Sequence, residues 1–393
     1  MRQAYFDHIA ATPLHPEALK AMLPFLGEAY GNPQSLHSAG QKALAAVESA
    51  REEVAGLIHA DGEEVYFTAS GSEANNLAVK GLAQAYQAKG RHIVVSAVEH
   101  LSVLNPAKGL ERLGFSSTTV PVDPTGRVDP AEVEKALRKD TVLVSVMAAN
   151  GEVGTLQPVA EIARLCRARG VLFHTDAVAA AGSVPLDVKA LGVDALSLAG
   201  DQFYGPKGAA ALFLKRGTKV LPLIEGGIQE NGRRAGTENV AGIVGLGKAA
   251  AIARAEMEER AARLRPLRDR LVAELPRRVE HIVLTGHPAE RLPHHASFCV
   301  EFVEGESMLL MLDMQGVSVS SGSACTSKTL KASHVLLAMG LDHALAQGSL
   351  VFSLIDGTAA EDIDHLFQAF PPVIDRLRKM SPLYTQFLKE RRS

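Results

Sequence analysis

Short apolar runs alternate with helical patterns between residues 60 and 215, and this alternation constrains the fold more than any other feature. Six runs predict buried strands, at residues 65–68, 92–96, 143–147, 171–175, 195–198 and 209–214. Strands that alternate with helices predict an α/β fold, with a largely parallel sheet covered by helices on both faces. Ligands of such sheets bind beyond the carboxyl ends of the strands, so the residues after each run form the candidate site.

A long helix rich in Ala, Glu and Arg follows the predicted sheet at about residues 240–275. Beyond it, three runs predict the strands of a smaller α+β domain, at residues 281–284, 297–302 and 351–354. The sequence therefore predicts a large α/β domain at residues 13–255. A small domain would combine residues 1–12 and 256–393.

Composition disfavours several classes of partner. The chain has 393 residues, a formal net charge of −3, 47% hydrophobic residues and 22% charged residues. These values are typical of a globular protein that binds neither nucleic acid nor membranes through bulk charge. No apolar stretch reaches the roughly 18–20 residues of a membrane span, and the N-terminus lacks the apolar segment of a secretory signal. We therefore expect a cytoplasmic protein.

The three cysteines differ in their surroundings. Cys166 and Cys299 lie in apolar segments, which predicts that they are core residues. Cys325 lies in the small, polar, turn-forming segment 320–327, where a thiol is accessible for nucleophilic chemistry. From this segment alone, an incidental loop cysteine is the favoured interpretation.

The first strand–helix turn, residues 69–76, has the features of an anion site. Ser70 and Glu73 have capping-box spacing, which predicts that a helix begins here. Its free backbone N–H groups and dipole would attract an anion, and Gly71 would let the backbone approach closely. The segment contains neither GxGxxG nor GxxxxGK[ST], which disfavours a nucleotide. An ordinary capped helix explains this segment alone equally well.

Further motifs follow one another in a characteristic order. They occupy residues 5–7, 30–33, 96–100, 173–177, 200–208, 234–239 and 321–326. With these motifs the chain resembles the cysteine desulfurases over nearly its whole length. Those enzymes are class V members of the aminotransferase superfamily and depend on pyridoxal phosphate (PLP), with PLP fold type I.

The resemblance implies roles for several residues. Asp176 would pair with the pyridine nitrogen of PLP, so that the ring can act as an electron sink. His100 would lie over the ring and assist proton transfer. Ser72 would hold the phosphate together with Thr237 of the neighbouring subunit in a homodimer. Cys325 would take sulfur from L-cysteine as a persulfide and leave alanine.

The chain departs from the family pattern where PLP is attached. The family motif Ser-Gly-His-Lys aligns with Ala199, Gly200, Asp201 and Gln202. The amide of Gln202 is not nucleophilic, so it can neither form the Schiff base nor shuttle protons, a role worth about 10²–10⁴ in rate. Asp201 would repel the phosphate, because like charges about 4 Å apart repel by about 4 kcal/mol at an effective dielectric near 20.

Three further positions differ from the family pattern. Gly151 replaces an asparagine that faces the ring, and Ala179 replaces a glutamine that follows the ring-pairing aspartate. Asp356 takes the place of the arginine that grips the substrate carboxylate, which an aspartate would repel. Lys207 is the second lysine of the motif, and we expect it to serve structure. We therefore expect no covalent attachment of PLP, and we predict weakened non-covalent binding.

Three hypotheses remain after the sequence is read. The favoured one is a homologue without normal desulfurase activity, a pseudoenzyme. It would be a dimeric scaffold in sulfur transfer or iron–sulfur cluster assembly, acting through Cys325. Its partner would be a sulfur-acceptor or iron–sulfur scaffold protein. The second is an active enzyme that binds PLP non-covalently and acts on L-cysteine. The third hypothesis is that acidic and histidine side chains of the altered pocket hold a metal ion. The spacing of these residues in the sequence does not match a metal-ligand pattern, so we expect no metal. Its donors would be His100, His174, Asp176, Asp201 and Asp356.

Overall fold

A seven-stranded sheet organises the larger part of the computed structural model, which describes residues 2–322 and 332–391. The strands of the described residues are β1 (Ala4–Tyr5), β2 (Val65–Thr68), β3 (His92–Ser96), β4 (Ser116–Val120), β5 (Thr141–Ser145), β6 (Leu172–Asp176), β7 (Ala195–Ala199), β8 (Ala210–Leu214), β9 (Ile282–Leu284), β10 (His295–Val300), β11 (Val317–Ser318) and β12 (Ser349–Ser353). The large sheet has the order β2-β8-β7-β6-β5-β3-β4.

The large sheet is mainly parallel, which confirms the predicted α/β fold. Within this sheet β8 runs antiparallel to its neighbours β2 and β7, and the other described pairs are parallel. The strands predicted from apolar runs lie within two residues of the observed bounds. Strand β4 was not predicted, because its sequence Ser-Ser-Thr-Thr-Val is polar and its edge position leaves it half exposed.

Helices cover both faces of this sheet and surround the smaller one. The helices of the described residues are α1 (Pro16–Leu26), α2 (Ser38–Leu57), α3 (Gly71–Asn76), which continues through a π-helical stretch (Leu77–Leu82) into α4 (Ala83–Ala85), α5 (Leu101–Gly109), α6 (Pro130–Ala136), α7 (Val159–Ala168), α8 (Val188–Leu191), α9 (Val240–Arg278), α10 (Gly305–Asp313), α11 (His334–Ala338), α12 (His343–Gln347), α13 (Ala360–Met380) and α14 (Pro382–Glu390). None of these helices is long and apolar enough to span a membrane.

The 39-residue helix α9 joins two hydrophobic cores. Residues up to Ala253 pack into the core of the seven-stranded sheet. From Leu264 onward, its buried side chains belong to a second core, beside the antiparallel sheet β12-β10-β9. The change of core lies close to the boundary that the sequence places after residue 255, and that division into domains stays a prediction.

The N-terminal segment packs with the second core. Ala4 lies opposite Val317 in the parallel pair formed by β1 and β11. The amide of Ile9 donates to Ser353 Oγ at 2.7 Å, which ties the following residues to the end of β12. Ile9 thereby reaches the edge of the large sheet, where it lines the candidate site.

A buried ion pair fixes the segment that precedes α9. Arg51 of α2 donates to both carboxylate oxygens of Glu230, at 2.8 and 2.9 Å. Glu230 also accepts the amide of Phe67 in β2 at 2.8 Å. Its backbone is left-handed, with φ of 48°. Because charges buried without partners are costly, this pair holds the segment on the sheet.

Candidate active site

A cavity of about 480 Å³ lies beyond the carboxyl ends of β3, β5, β6 and β7. This is where the α/β architecture places ligands. Its lining includes nine of the residues singled out in the sequence, namely Gly71, Ser72, His100, Gly151, Asp176, Ala179, Ala199, Asp201 and Gln202. The structure therefore brings together residues that are more than 100 positions apart in the chain.

The helix start at one end of the cavity is capped much as the sequence predicts. Ser70 Oγ accepts the amide of Glu73 at 3.1 Å. The carboxylate of Glu73 reaches back to the amide of Ala69, one residue before the cap, at 2.9 Å. A Cβ at Gly71 would lie 2.6 Å from Val178 Cγ2, so glycine is the residue that permits this close approach.

Asp176 is buried at the end of β6 and belongs to a polar network. Its Oδ2 accepts Asn75 Nδ2 at 2.6 Å, and its Oδ1 accepts the amide of Val178 at 2.9 Å. Asn75 Nδ2 also donates to Ser102 Oγ at 2.9 Å. Burial raises the pKa of Asp176, while these hydrogen bonds and the nearby His100 lower it.

His100 serves as the N-cap of α5. Its Nδ1 accepts the amide of Ser102 at 3.1 Å and lies 2.7 Å from Ser102 Oγ. An amide N–H can only donate, so Nδ1 is the acceptor and Nε2 carries the proton in the neutral ring. Ser102 thus connects His100 with Asn75 and, through it, with Asp176.

Two buried carboxyl groups of the lining were not given a role in the sequence. Glu99 Oε1 accepts Ser96 Oγ and the amide of Met147, both at 2.7 Å. Burial raises the pKa of Glu99 to about 8, although these two hydrogen bonds act to lower it. Burial likewise raises the pKa of Glu152 to about 8, although a hydrogen bond with Ser333 acts to lower it. Glu99 directly precedes His100 at a strand end, which is the signal that could have identified it.

Gln202 lines both this cavity and a smaller one of about 30 Å³. The main-chain carbonyl of the preceding Asp201 accepts Thr12 N and Oγ1 at 2.8 and 2.9 Å, which fixes this turn. Burial raises the pKa of Asp201, and the charge of Lys207 opposes the shift. Lys207 itself is exposed and does not line the cavity.

Three small residues that depart from the family pattern, Gly151, Ala179 and Ala199, line the cavity. A Cβ at Gly151 would lie 3.4 Å from Ile9 Cγ1 and 3.7 Å from Ala179 Cβ, which is ordinary contact distance. Ala199 is buried at the end of β7, beside the helix start. These positions therefore shape the cavity without offering polar groups from their side chains.

Three of the predicted site residues are not placed in the cavity. Asp356 lies outside the lining and accepts Arg263 Nε and Nη2, at 3.1 and 2.7 Å. Thr237 is exposed and also lies outside the lining, so its predicted role requires a partner subunit. Cys325 falls outside the described residues.

The other two cysteines are core residues, as the sequence predicts. Cys166 and Cys299 are fully buried. Burial raises the pKa of each thiol to about 12, so neither carries the thiolate that nucleophilic chemistry requires. Within the described part of the chain, no thiol is therefore suited to accept sulfur.

The residues considered for a metal do not form a ligand set among the described residues. His174 is buried in β6, with Nδ1 2.8 Å from Ser145 Oγ and Nε2 3.0 Å from Ser197 Oγ. Burial lowers the pKa of His174 to about 3. In residues 2–322 and 332–391, no three His, Cys, Asp or Glu side chains are arranged to hold a metal ion.

Comparison with known proteins gives the family. The class-V aminotransferase model matches residues 4–366. A cysteine desulfurase IscS of Dictyoglomus turgidum is 48% identical over 97% of this chain and 97% of its own. One of Methanosarcina thermophila is 46% identical over 97% of this chain and 94% of its own. A solved NifS-like protein has a TM-score of 0.90 at 35% identity, over 96% of this chain and 100% of its own.

The chain belongs to the cysteine desulfurase family. This membership confirms the resemblance that the ordered motifs indicate, and the NifS-like structure confirms PLP fold type I. A further solved relative, a NifS-like protein from Rickettsia africae, has a TM-score of 0.86 at 29% identity, over 95% of this chain and 100% of its own. The fold and the family are thus established independently of the altered positions.

Among the described residues, the cavity of this cysteine desulfurase family member contains no lysine to which the cofactor of the family could attach. Asp176 and the helix start at Gly71, for which the family resemblance predicts contacts with the pyridine nitrogen and the phosphate, both line the cavity. Among the described residues, however, the lining contains no lysine or arginine. It therefore offers no amine for a Schiff base and no lysine or arginine for a phosphate, although the imidazoles of His100 and His334 belong to the lining. Asp201 adds a carboxyl group beside Gln202.

Proposed function

We propose that this chain takes part in sulfur transfer or iron–sulfur cluster assembly without forming the Schiff base of its family. It would act as a scaffold or through Cys325, and a normal desulfurase cycle would be lost. Membership of the cysteine desulfurase family supports the sulfur chemistry, since relatives that bear this name are 46–48% identical. The cavity supports the loss of the cycle.

The observation that carries the proposal is the composition of the cavity lining. Gln202 stands at the position of the Schiff-base lysine, and the lining in the described ranges contains no lysine. An amide cannot replace the amine as nucleophile or as proton carrier. Lys207 is exposed, and its charge acts on Asp201 from outside the lining.

The proposed partners follow from the family and from the surface. L-cysteine sulfur would reach Cys325 from another protein, and a sulfur-acceptor or iron–sulfur scaffold protein would receive it. The chain would be a cytoplasmic homodimer. Support for a dimer comes from exposed apolar side chains near the N-terminus, where Leu26, Tyr30 and Leu36 are 64%, 87% and 92% exposed.

The test is an assay of both reactions on the purified chain. We expect no alanine from L-cysteine, with or without added PLP. When an active desulfurase supplies persulfide, we expect sulfur on Cys325, located by alkylation and peptide mass spectrometry. The variant C325S is the control, and the buried Cys166 and Cys299 should stay unlabelled in the native protein. Alanine release at the rate of an active relative would contradict the proposal.

A further inference from the structure

We propose that the cavity beyond the parallel strands binds a small organic amine that carries no phosphate group. This inference concerns the ligand of the cavity and does not rest on the proposed role in sulfur transfer. It is carried by the charges of the lining, by a buried acceptor without a partner and by the apolar walls.

The charged groups of the lining are predominantly acidic. Glu99, Glu152, Asp176 and Asp201 line the cavity, whereas no lysine or arginine does so in the described ranges. A dianionic phosphate ester would therefore meet four carboxyl groups and no lysine or arginine, with the imidazoles of His100 and His334 as the basic groups of the lining. A ligand ammonium group, in contrast, is attracted by every carboxyl group that is ionised, and its charge favours the ionised form of the others.

The amide oxygen of Asn75 is a buried acceptor without a partner. Asn75 is 1% exposed, and its Oδ1 has no hydrogen bond within the described part of the chain. The orientation of the amide is fixed, because Asp176 Oδ2 accepts its nitrogen at 2.6 Å. An unmade hydrogen bond at a buried group costs about 1–3 kcal/mol. A ligand N–H in the cavity would satisfy this oxygen, whereas an ionised phosphate cannot.

A second buried oxygen points to the same class of ligand. Glu99 is fully buried, and its Oε2 has no hydrogen-bond partner among the described residues. A cation beside Glu99 favours the ionised carboxylate, in which Oε2 accepts a hydrogen bond. Glu99 and Asn75 line one cavity, so a ligand with several N–H groups can serve both.

The walls of the cavity suit an organic body between these polar groups. The apolar side chains of Ile9, Val98, Met147 and Val178 belong to the lining. A volume of about 480 Å³ lies in the range of sites for small organic ligands. The helix start at Gly71 still offers N–H groups to an anion. Asp201 lines the same cavity, however, and its carboxylate would oppose the positive potential of the helix start.

The test compares two probes that differ only in the phosphate, pyridoxamine and pyridoxamine 5′-phosphate. Neither forms a Schiff base, so their affinities report the cavity independently of Gln202. By titration calorimetry on the full chain, we expect pyridoxamine to bind at least about tenfold more tightly, which is about 1.4 kcal/mol. D201H should reduce this preference about tenfold, and D201N should reduce it less.

Two results would overturn the inference. One is tighter binding of the phosphate ester by the natural chain, and the other is no binding of pyridoxamine at millimolar concentration. Both leave the proposed function to its own test, which measures alanine release and sulfur on Cys325. If D201H unfolds, D201N carries the comparison, because it keeps the backbone carbonyl that accepts Thr12 N and Oγ1 and changes the carboxyl group only to an amide of similar size.

Discussion

Asn75 Nδ2 donates to Asp176 Oδ2 at 2.6 Å, across 101 positions of sequence. This bond joins the helix after β2 to the end of β6 and supports a carboxyl group that has little contact with solvent. We expect N75A to lower the free energy of unfolding by about 1–3 kcal/mol, because Asp176 loses a buried partner. Denaturant unfolding measures the change. The double variant N75A/D176N should recover part of it, and an unchanged loss in the double variant would contradict this reading.

The buried carboxyl of Glu99 makes stability depend on pH. The folded chain holds this proton up to a pKa of about 8, whereas the unfolded chain releases it near 4.5. The unfolded state therefore binds fewer protons between these values, and this group lowers stability as pH rises through that window. E99Q should remove this contribution, up to a limit of about 1.4 kcal/mol per pH unit for one proton.

The measurement for Glu99 is chemical unfolding of the natural chain and E99Q at pH values from 5 to 8. The free energy of unfolding of E99Q, relative to that of the natural chain, should increase with pH. Glu152, whose pKa is also raised to about 8, acts in the same direction and remains in both proteins. A difference between the two proteins that is constant across this range would show that Glu99 is already ionised.

Asp356 is paired with Arg263, so restoring the family arginine at this position alone should destabilise the chain. D356R would place a cation beside Arg263 and within reach of Arg260, whose Nε lies 3.9 Å from Asp356 Oδ2. We expect a loss of about 1 kcal/mol or more, since like charges at such distances repel. Thermal or denaturant unfolding of D356R, R263E and the double variant forms a mutant cycle. The double variant should be more stable than the sum of the single changes predicts.

Glu230 should be among the most sensitive charged positions outside the cavity. E230A leaves Arg51 buried without its bidentate partner, for which we expect a loss of about 3–5 kcal/mol in unfolding free energy. E48A is the matched control, because Glu48 contacts the same arginine at 3.3 Å but its side chain is 54% exposed. That change should cost about 0–1 kcal/mol. Equal losses in the two variants would contradict the assigned role of burial.

Much of the fold and part of the site could be predicted from local sequence. Apolar runs mark the buried strands, because strands covered on both faces consist of apolar residues. The polar edge strand β4 gives no such signal. The unusual residues Asp201 and Gln202 follow β7 directly, so their place at the cavity could be read from the position of that strand.

The pairing of distant side chains could not be predicted in this way. Asn75 and Asp176, or Arg263 and Asp356, meet only because the chain returns to the same point after about a hundred residues. The sequence predicts that Asp356 repels a substrate carboxylate, but it does not indicate that Asp356 forms an ion pair with Arg263. The raised pKa of Glu99 likewise depends on burial that only the assembled sheet creates.

Covalent attachment of PLP tests the central claim most directly. The purified chain is incubated with PLP, treated with borohydride, and its peptides are analysed by mass spectrometry. We expect no adduct and no visible aldimine band, and we expect Q202K alone to give little aldimine because Asp201 remains. Q202K combined with A199S, D201H and G151N should form the adduct on residue 202. A stoichiometric adduct on one lysine of the natural chain, Lys207 included, accompanied by an aldimine band, would contradict the account.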